Sequence, residues 1–225
     1  MRKVWLIPVT LIAIFFASCK TPQQPIVEDF HTKTYVERMK YFEENPLKYG
    51  QIVFLGNSLT QGGKWETYLP GKNIANRGIS GDNTEGILAR LDEIVKSKPS
   101  KLFIEAGVND ISLNRSNEMI IDNYRKIIKT IKQQSPSTQI CITSVFPINK
   151  NVSKYKRLTG KESQILELNK QLKKLAKKTN AQYVDVFPQL MDDKGMLRKE
   201  YTADGLHLTT QGYEVWRDKL LEYIQ

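Results

Sequence analysis

Apolar residues fall into two patterns that alternate along this chain. Short, nearly continuous apolar runs bounded by turn-forming residues occur at 51–56 (QIVFLG), 73–76 (NIAN), 101–107 (KLFIEAG), 139–146 (QICITSVF) and 181–187 (AQYVDVF). Between them, apolar residues recur every three or four positions: Ile87, Leu88, Leu91, Ile94 and Val95 across 84–97; Met119, Ile120, Tyr124, Ile127, Ile128 and Ile131 across 117–134; Ile165, Leu168, Leu172 and Leu175 across 161–178. A run without polar alternation suits a strand buried on both faces, and a helical stripe suits a helix packed along one side. Further helices are predicted from Thr34 to Glu44, stopped by Pro46, and from about Thr210 to Ile224. The alternation predicts an α/β fold with a parallel sheet covered by helices on both faces. In such a sheet the loops leaving the carboxyl ends of the strands are where chemistry belongs.

The first residues follow another rule. MRKVWLIPVTLIAIFFASCK has Arg2 and Lys3, an apolar run from Val4 to Ala17, then Ser18 and Cys19. That run falls short of the roughly 20 apolar residues a membrane span needs, and its layout is that of a signal peptide. Small residues directly before a cysteine resemble a bacterial lipoprotein processing site. Residues 1–18 are therefore expected to be removed, with Cys19 lipidated and holding the protein to a membrane on its exported side. The polar, proline-bearing stretch at 19–30 reads as a tether. With no repeat, low-complexity tract or internal linker, 31–225 is expected to be one domain.

The formal charge of +10 admits an anionic partner. Much of it is scattered Lys on helical stretches such as 161–178, which fits a solvated face, and no nucleic-acid motif accompanies it. Cys141 lies inside QICITSV and reads as a small buried hydrophobe. There is no clustered His/Cys/Asp pattern for a metal and no glycine-rich dinucleotide fingerprint, so neither metal nor cofactor is expected.

Three strand ends and one late loop hold the candidate chemistry. After the first strand comes GNSLTQGG, with Ser58 where strand should turn into helix; Ser58 is either a simple helix cap or a hydroxyl projecting from the sheet. After the second comes NRGISGD, where Gly78 can bring a backbone N–H close to the same point. After the third comes GVND, where the Asn109 amide can donate to an oxyanion and Asp110 can cap the next turn. Gly78 and Asn109 are each also ordinary turn residues. Of the two histidines, His31 lies in a polar lead-in and reads as idle, whereas His207 lies in DGLHLT just before the last helix, three residues after Asp204. An imidazole between a serine hydroxyl and a carboxylate is what acyl transfer requires, since neutral serine is a poor nucleophile.

Taken together, GNSLT, NRGISGD, GVND and DGLHLT resemble the four ordered blocks of the SGNH/GDSL hydrolase superfamily, over about 51–217. The likeness is strongest to its branch of platelet-activating-factor acetylhydrolase catalytic subunits and bacterial carbohydrate esterases. The resemblance implies a flavodoxin-like, three-layer α/β/α sandwich with a five-stranded parallel sheet. It implies a carboxylic ester hydrolase in which Ser58 attacks, His207 is the base, Asp204 orients it, and the N–H groups of Ser58 and Gly78 with the Asn109 amide hold the oxyanion. One position departs from the pattern: Asn57 stands where the family usually has Asp, and only Asn can donate, which fits a structural role.

Substrate signals are weaker. Trp65 and Tyr68 are either core or an aromatic wall of the cleft. The polar loop 146–163, with Lys150, Lys154, Lys156 and Arg157, is either plain surface or a rim for a polar or acidic carbohydrate. No apolar lid of the lipase kind is present, so short acyl groups, chiefly acetyl, on sugars are the expectation. Lysophospholipase- or arylesterase-like hydrolysis is the alternative within the class, and a non-catalytic glycan-binding lipoprotein the alternative outside it.

Overall fold

The computed structural model describes residues 29–224. The predicted signal, Cys19 and most of the tether lie outside the described residues. In chain order the elements are α1 (Lys33–Glu44), β1 (Ile52–Gly56), α2 (Ser58–Gly62), α3 (Trp65–Tyr68), β2 (Ile74–Gly78), α4 (Thr84–Ala89), α5 (Leu91–Ser97) and β3 (Lys101–Glu105). They continue with α6 (Val108–Ser112), α7 (Asn117–Gln134), β4 (Gln139–Thr143), α8 (Glu162–Lys178), β5 (Gln182–Val184), α9 (Phe187–Leu190) and α10 (Thr210–Leu221).

All five strands are parallel, in the order β2-β1-β3-β4-β5. Side chains alternate across the sheet and so build two apolar layers. Val53, Leu55, Leu102, Ile104, Ile140 and Ile142 meet α4, α5, α7 and α8 through residues such as Ile87, Ile94, Ile127 and Leu168. On the other face Phe54, Phe103, Cys141 and Val184 meet Leu59, Trp65, Tyr213, Trp216 and Leu220. Each fully buried side chain of this size contributes about 1.5–3 kcal/mol. The result is the expected three-layer α/β/α sandwich of flavodoxin-like strand order. That order reverses between β1 and β3, and the crevice at their carboxyl ends is the favoured ligand position in such sheets. Ser58 directly follows β1 and Asn109 lies four residues beyond β3.

Two elements differ from the sequence expectation. The helix predicted over 84–97 is two helices, because Arg90 leaves helical geometry at φ −118°, ψ 29°. Its buried guanidinium needs partners for its donors, and it finds the Asp82 carboxylate, the Arg77 carbonyl and the Gly56 carbonyl. The strand predicted over 181–187 stops at Val184. The N–H groups of Val186 and Phe187 both turn to Ser144 Oγ, at 3.0 Å each, and leave the ladder. Cys141 is fully buried as expected, and burial pushes its thiol up to about 12.

Candidate active site

The turn after β1 is fixed by two residues. At Gly56 any Cβ would meet Thr60 Oγ1 at 2.3 Å and the Glu105 carbonyl at 2.4 Å, so only glycine fits. Asn57, fully buried, accepts from Leu59 N at 2.8 Å and thereby caps α2. The capping role considered for Ser58 therefore belongs to its neighbour. The Ser58 side chain is free for another use: its Oγ lies 2.8 Å from His207 Nε2.

His207 is carried by a loop closed at its base by an antiparallel bridge between Thr202 and Leu208. Within it, Asp204 Oδ1 accepts from the backbone N–H groups of Leu206 (3.0 Å) and His207 (2.8 Å). Asp204 Oδ2 lies 2.8 Å from His207 Nδ1. One carboxylate thus shapes the loop and sets the ring. With Nδ1–H directed at Asp204, Nε2 is the acceptor that faces Ser58. Partial burial pushes the Asp204 carboxyl up, but the hydrogen bonds from the His207 ring and from the His207 and Leu206 N–H groups outweigh it and hold the group below its ordinary range.

Asn109 sits in α6 after a turn at Gly107, whose φ is +128°. Its Nδ2 donates to the Asp82 carbonyl at 2.7 Å, and a primary amide keeps a second N–H beyond that bond. Asp110, completely buried, locks the turn by accepting from Thr84 N, Thr84 Oγ1 and Arg115 Nη1.

The glycine block requires a correction. Gly78 is buried and its N–H donates to Asn76 Oδ1 at 2.9 Å, so it is already committed and does not face the crevice as expected. The N–H of Ile79 goes to the Gly56 carbonyl, that of Ser80 to Gln61 Oε1, and that of Asp82 to the Ile79 carbonyl. Among the described residues only Gly81 in this stretch keeps a backbone N–H without an acceptor. It is exposed, has φ +82°, and nothing lies within 4 Å of where a Cβ would stand. Gly81 is bonded to Asp82, whose carbonyl holds the Asn109 amide, so it is the glycine that borders the site. The signal was in the sequence, as the second glycine of NRGISGD, but choosing between the two needed the hydrogen-bond inventory.

Tyr155 was not singled out in the sequence. Its hydroxyl lies 3.1 Å from His207 Nδ1 and 3.5 Å from Asp204 Oδ2. It comes from the polar loop 146–163, which is joined to the histidine loop by Lys154 N to the Asp204 carbonyl (3.0 Å) and Asn149 N to the Gly205 carbonyl (2.9 Å). The loop is therefore part of the rim, with Lys150, Lys154, Lys156 and Arg157 exposed on it. Trp65 and Tyr68 resolve differently from one another. Trp65 is core, 3% exposed, edge-on to Phe54 and Trp216 and donating to the Thr60 carbonyl; Tyr68 is half-buried and stacked on Tyr213. His31 is exposed and pairs with Asp29, apart from these contacts.

A doubly wound parallel sheet with a serine, an imidazole and a carboxylate in series at its switch point defines an α/β protein equipped for acyl transfer. The chain belongs to the GDSL-like lipase/acylhydrolase family, whose model matches residues 54–215, and it is accordingly an ester hydrolase of the SGNH superfamily. It is 24% identical over 203 residues to the human platelet-activating factor acetylhydrolase IB subunit alpha1, covering 88% of this chain and 84% of the relative. Among solved structures it is similar to a Streptococcus pneumonia protein provisionally named a platelet activating factor, at TM-score 0.77 and 28% identity, covering 86% of this chain and 92% of the other. An acetyl-xylooligosaccharide esterase from Geobacillus stearmophilus shares the fold at TM-score 0.63 and 18% identity, covering 79% and 95%.

Proposed function

We propose that this protein is a serine esterase that removes short acyl groups, chiefly acetyl, from carbohydrate. The observation that carries the reading is the relay from Ser58 Oγ to His207 Nε2 and from His207 Nδ1 to Asp204 Oδ2, each step 2.8 Å. Ser58 Oγ attacks the ester carbonyl as Nε2 takes its proton. The imidazolium so formed is stabilised by the Asp204 carboxylate, and it returns the proton to the departing alcohol oxygen. The carbonyl oxygen, now negative, is met by the N–H groups of Ser58 and Gly81 and the second N–H of Asn109. Water then repeats the sequence on the acyl-enzyme, releasing acid and restoring Ser58.

Three features support a short acyl group on a polar alcohol. The side chains gathered at the crevice are polar: Gln61 accepts from the Ser80 N–H, and Asn109, His207 and the Tyr155 hydroxyl complete it. The rim loop adds four exposed cations, which suit a hydrated or acidic glycan better than an acyl tail. Acetyl is also the group named for both the human relative and the Geobacillus esterase. The test is a panel of acetylated xylan, acetylated sialic acid, acetylated peptidoglycan and p-nitrophenyl esters of rising chain length. Acetate release from a polysaccharide, with turnover falling beyond about four acyl carbons, is the expected result; preference for long chains would overturn the substrate while leaving the chemistry.

The enzyme is proposed to work as an exported lipoprotein held by Cys19. Cells fed a radioactive fatty acid should label the wild type and not Cys19→Ser; equal labelling would show that the cysteine is not the anchor.

A further inference from the structure

Several buried polar atoms at the carboxyl end of the sheet have no hydrogen-bond partner among the described residues: Asn57 Nδ2, both carboxyl oxygens of Glu105 and Thr143 Oγ1. Their placement is not scattered. Glu105 is the parallel partner of Gly56, so Asn57 is the next residue past it. Thr143 follows Ile142, which pairs with Ile104, and the alternation puts Glu105 and Thr143 on the face that carries Phe103, Cys141 and Trp216. Asn57 is 0% and Glu105 1% exposed. Leaving a carboxyl without a donor at such a depth is costly, and the Asn57 amide, one residue past its strand partner Gly56, is likewise without an acceptor. Asn57 Oδ1 is held by Leu59 N, which leaves Nδ2 as the end turned away from the helix. Burial pushes Glu105 up to about 8, and Asn57 is the side chain that opposes the shift.

We propose that Asn57 and Glu105 are a positioning pair that braces the turn presenting Ser58, and that asparagine at position 57 lets the pair hydrogen-bond whether or not Glu105 carries its proton. The inference rests on Ser58 being the nucleophile. An Asn57 N–H donates equally to the carbonyl oxygen of a protonated Glu105 and to either oxygen of its carboxylate. An aspartate in its place can be bonded only while Glu105 holds a proton to share, so that pair opens as the proton leaves. The other titratable groups that sense Glu105 are Tyr213, from α10, and Tyr124, from α7. Burial raises both phenols well above their ordinary value, so both stay neutral throughout. Tyr213 also donates to the Leu59 carbonyl at 2.8 Å, bracing the same turn independently of Glu105.

The experiment is kcat and KM for p-nitrophenyl acetate between about pH 6.5 and about pH 10 for four proteins: wild type, Glu105→Gln, Asn57→Asp and the double variant Asn57→Asp/Glu105→Gln. Wild type and Glu105→Gln should share one alkaline profile, since a glutamine there still accepts from Asn57. Asn57→Asp should lie within about threefold of wild type at the acid end and lose at least about tenfold in kcat by the alkaline end, with KM unchanged. In the double variant the introduced glutamine amide donates to the introduced aspartate without titrating, so the alkaline loss should be recovered. An Asn57→Asp profile parallel to wild type, or a loss that Glu105→Gln does not recover, overturns the pairing. Melting temperatures of the same four proteins across the range separate this from a failure of the nucleophile assignment. If Ser58→Ala stays active, an alkaline drop in the melting temperature of Asn57→Asp that Glu105→Gln removes still reports the pair.

Discussion

Ser58→Ala should lower kcat for p-nitrophenyl acetate by about 10⁴-fold or more while leaving the fold and its melting temperature nearly unchanged. The two halves of that expectation have separate causes. Ser58 Oγ makes its contact with His207 Nε2, and nothing else in the turn depends on it: α2 is capped by Asn57, and Gly56 sets the approach of β1 to β3. Removing one partly exposed hydroxyl therefore costs little stability, whereas the reaction loses the atom that attacks. Circular dichroism and steady-state turnover on one preparation decide the matter; an alanine variant with wild-type turnover would sink the assignment. In the same assay Asn109→Ala should cost about 10²–10³-fold, because the N–H groups of Ser58 and Gly81, the other two proposed oxyanion donors, would remain.

Asp204→Ala should cost about 10³–10⁴-fold in kcat, and what activity remains should depend on Tyr155. Asp204 both accepts from Nδ1 and holds the N–H groups of Leu206 and His207, so its loss frees the ring and loosens the loop together. Once the carboxylate is gone, the Tyr155 hydroxyl, 3.1 Å from Nδ1, is the side-chain acceptor left to the ring among the described residues. Tyr155→Phe alone should cost less than about threefold, but in the Asp204→Ala background it should remove at least about a further tenfold. A double-mutant cycle on kcat measures this directly. Equal factors in the two backgrounds would show that Tyr155 gives the ring no support. The contrast follows from geometry: with Asp204 present, Nδ1–H has a closer and charged acceptor, and the phenol is held in reserve.

Much of the scaffold was legible because burial writes itself into composition. Strands covered on both faces must be largely apolar, as 101–107 and 139–146 are, and helices packed on one side must carry a stripe, as 117–134 and 161–178 do. The places where this reading slipped are those where one polar group bends the backbone toward a distant partner. Arg90 breaks the helix predicted at 84–97 to reach Asp82, Arg77 and Gly56; Ser144 pulls Val186 and Phe187 out of the fifth strand. Nothing in the local pattern of either segment records such a partner.

The same division runs through the site. Local sequence was enough to name Ser58, Asn109, Asp204 and His207 as candidates, since each sits in a short polar segment after a strand or before a helix, and their chemistry is complementary. It also marked Asn57 as a departure without showing that its side chain caps α2. Which of two glycines keeps a free N–H, that a tyrosine from the rim loop reaches the imidazole, and that Glu105 stands beside Gly56 at the turn into Asn57 were decided by tertiary structure alone. The physical reason is that sequence dictates what each segment prefers to bury and where it turns, while hydrogen bonds between segments 149 residues apart, as Ser58 and His207 are, depend on how the finished layers bring their ends together.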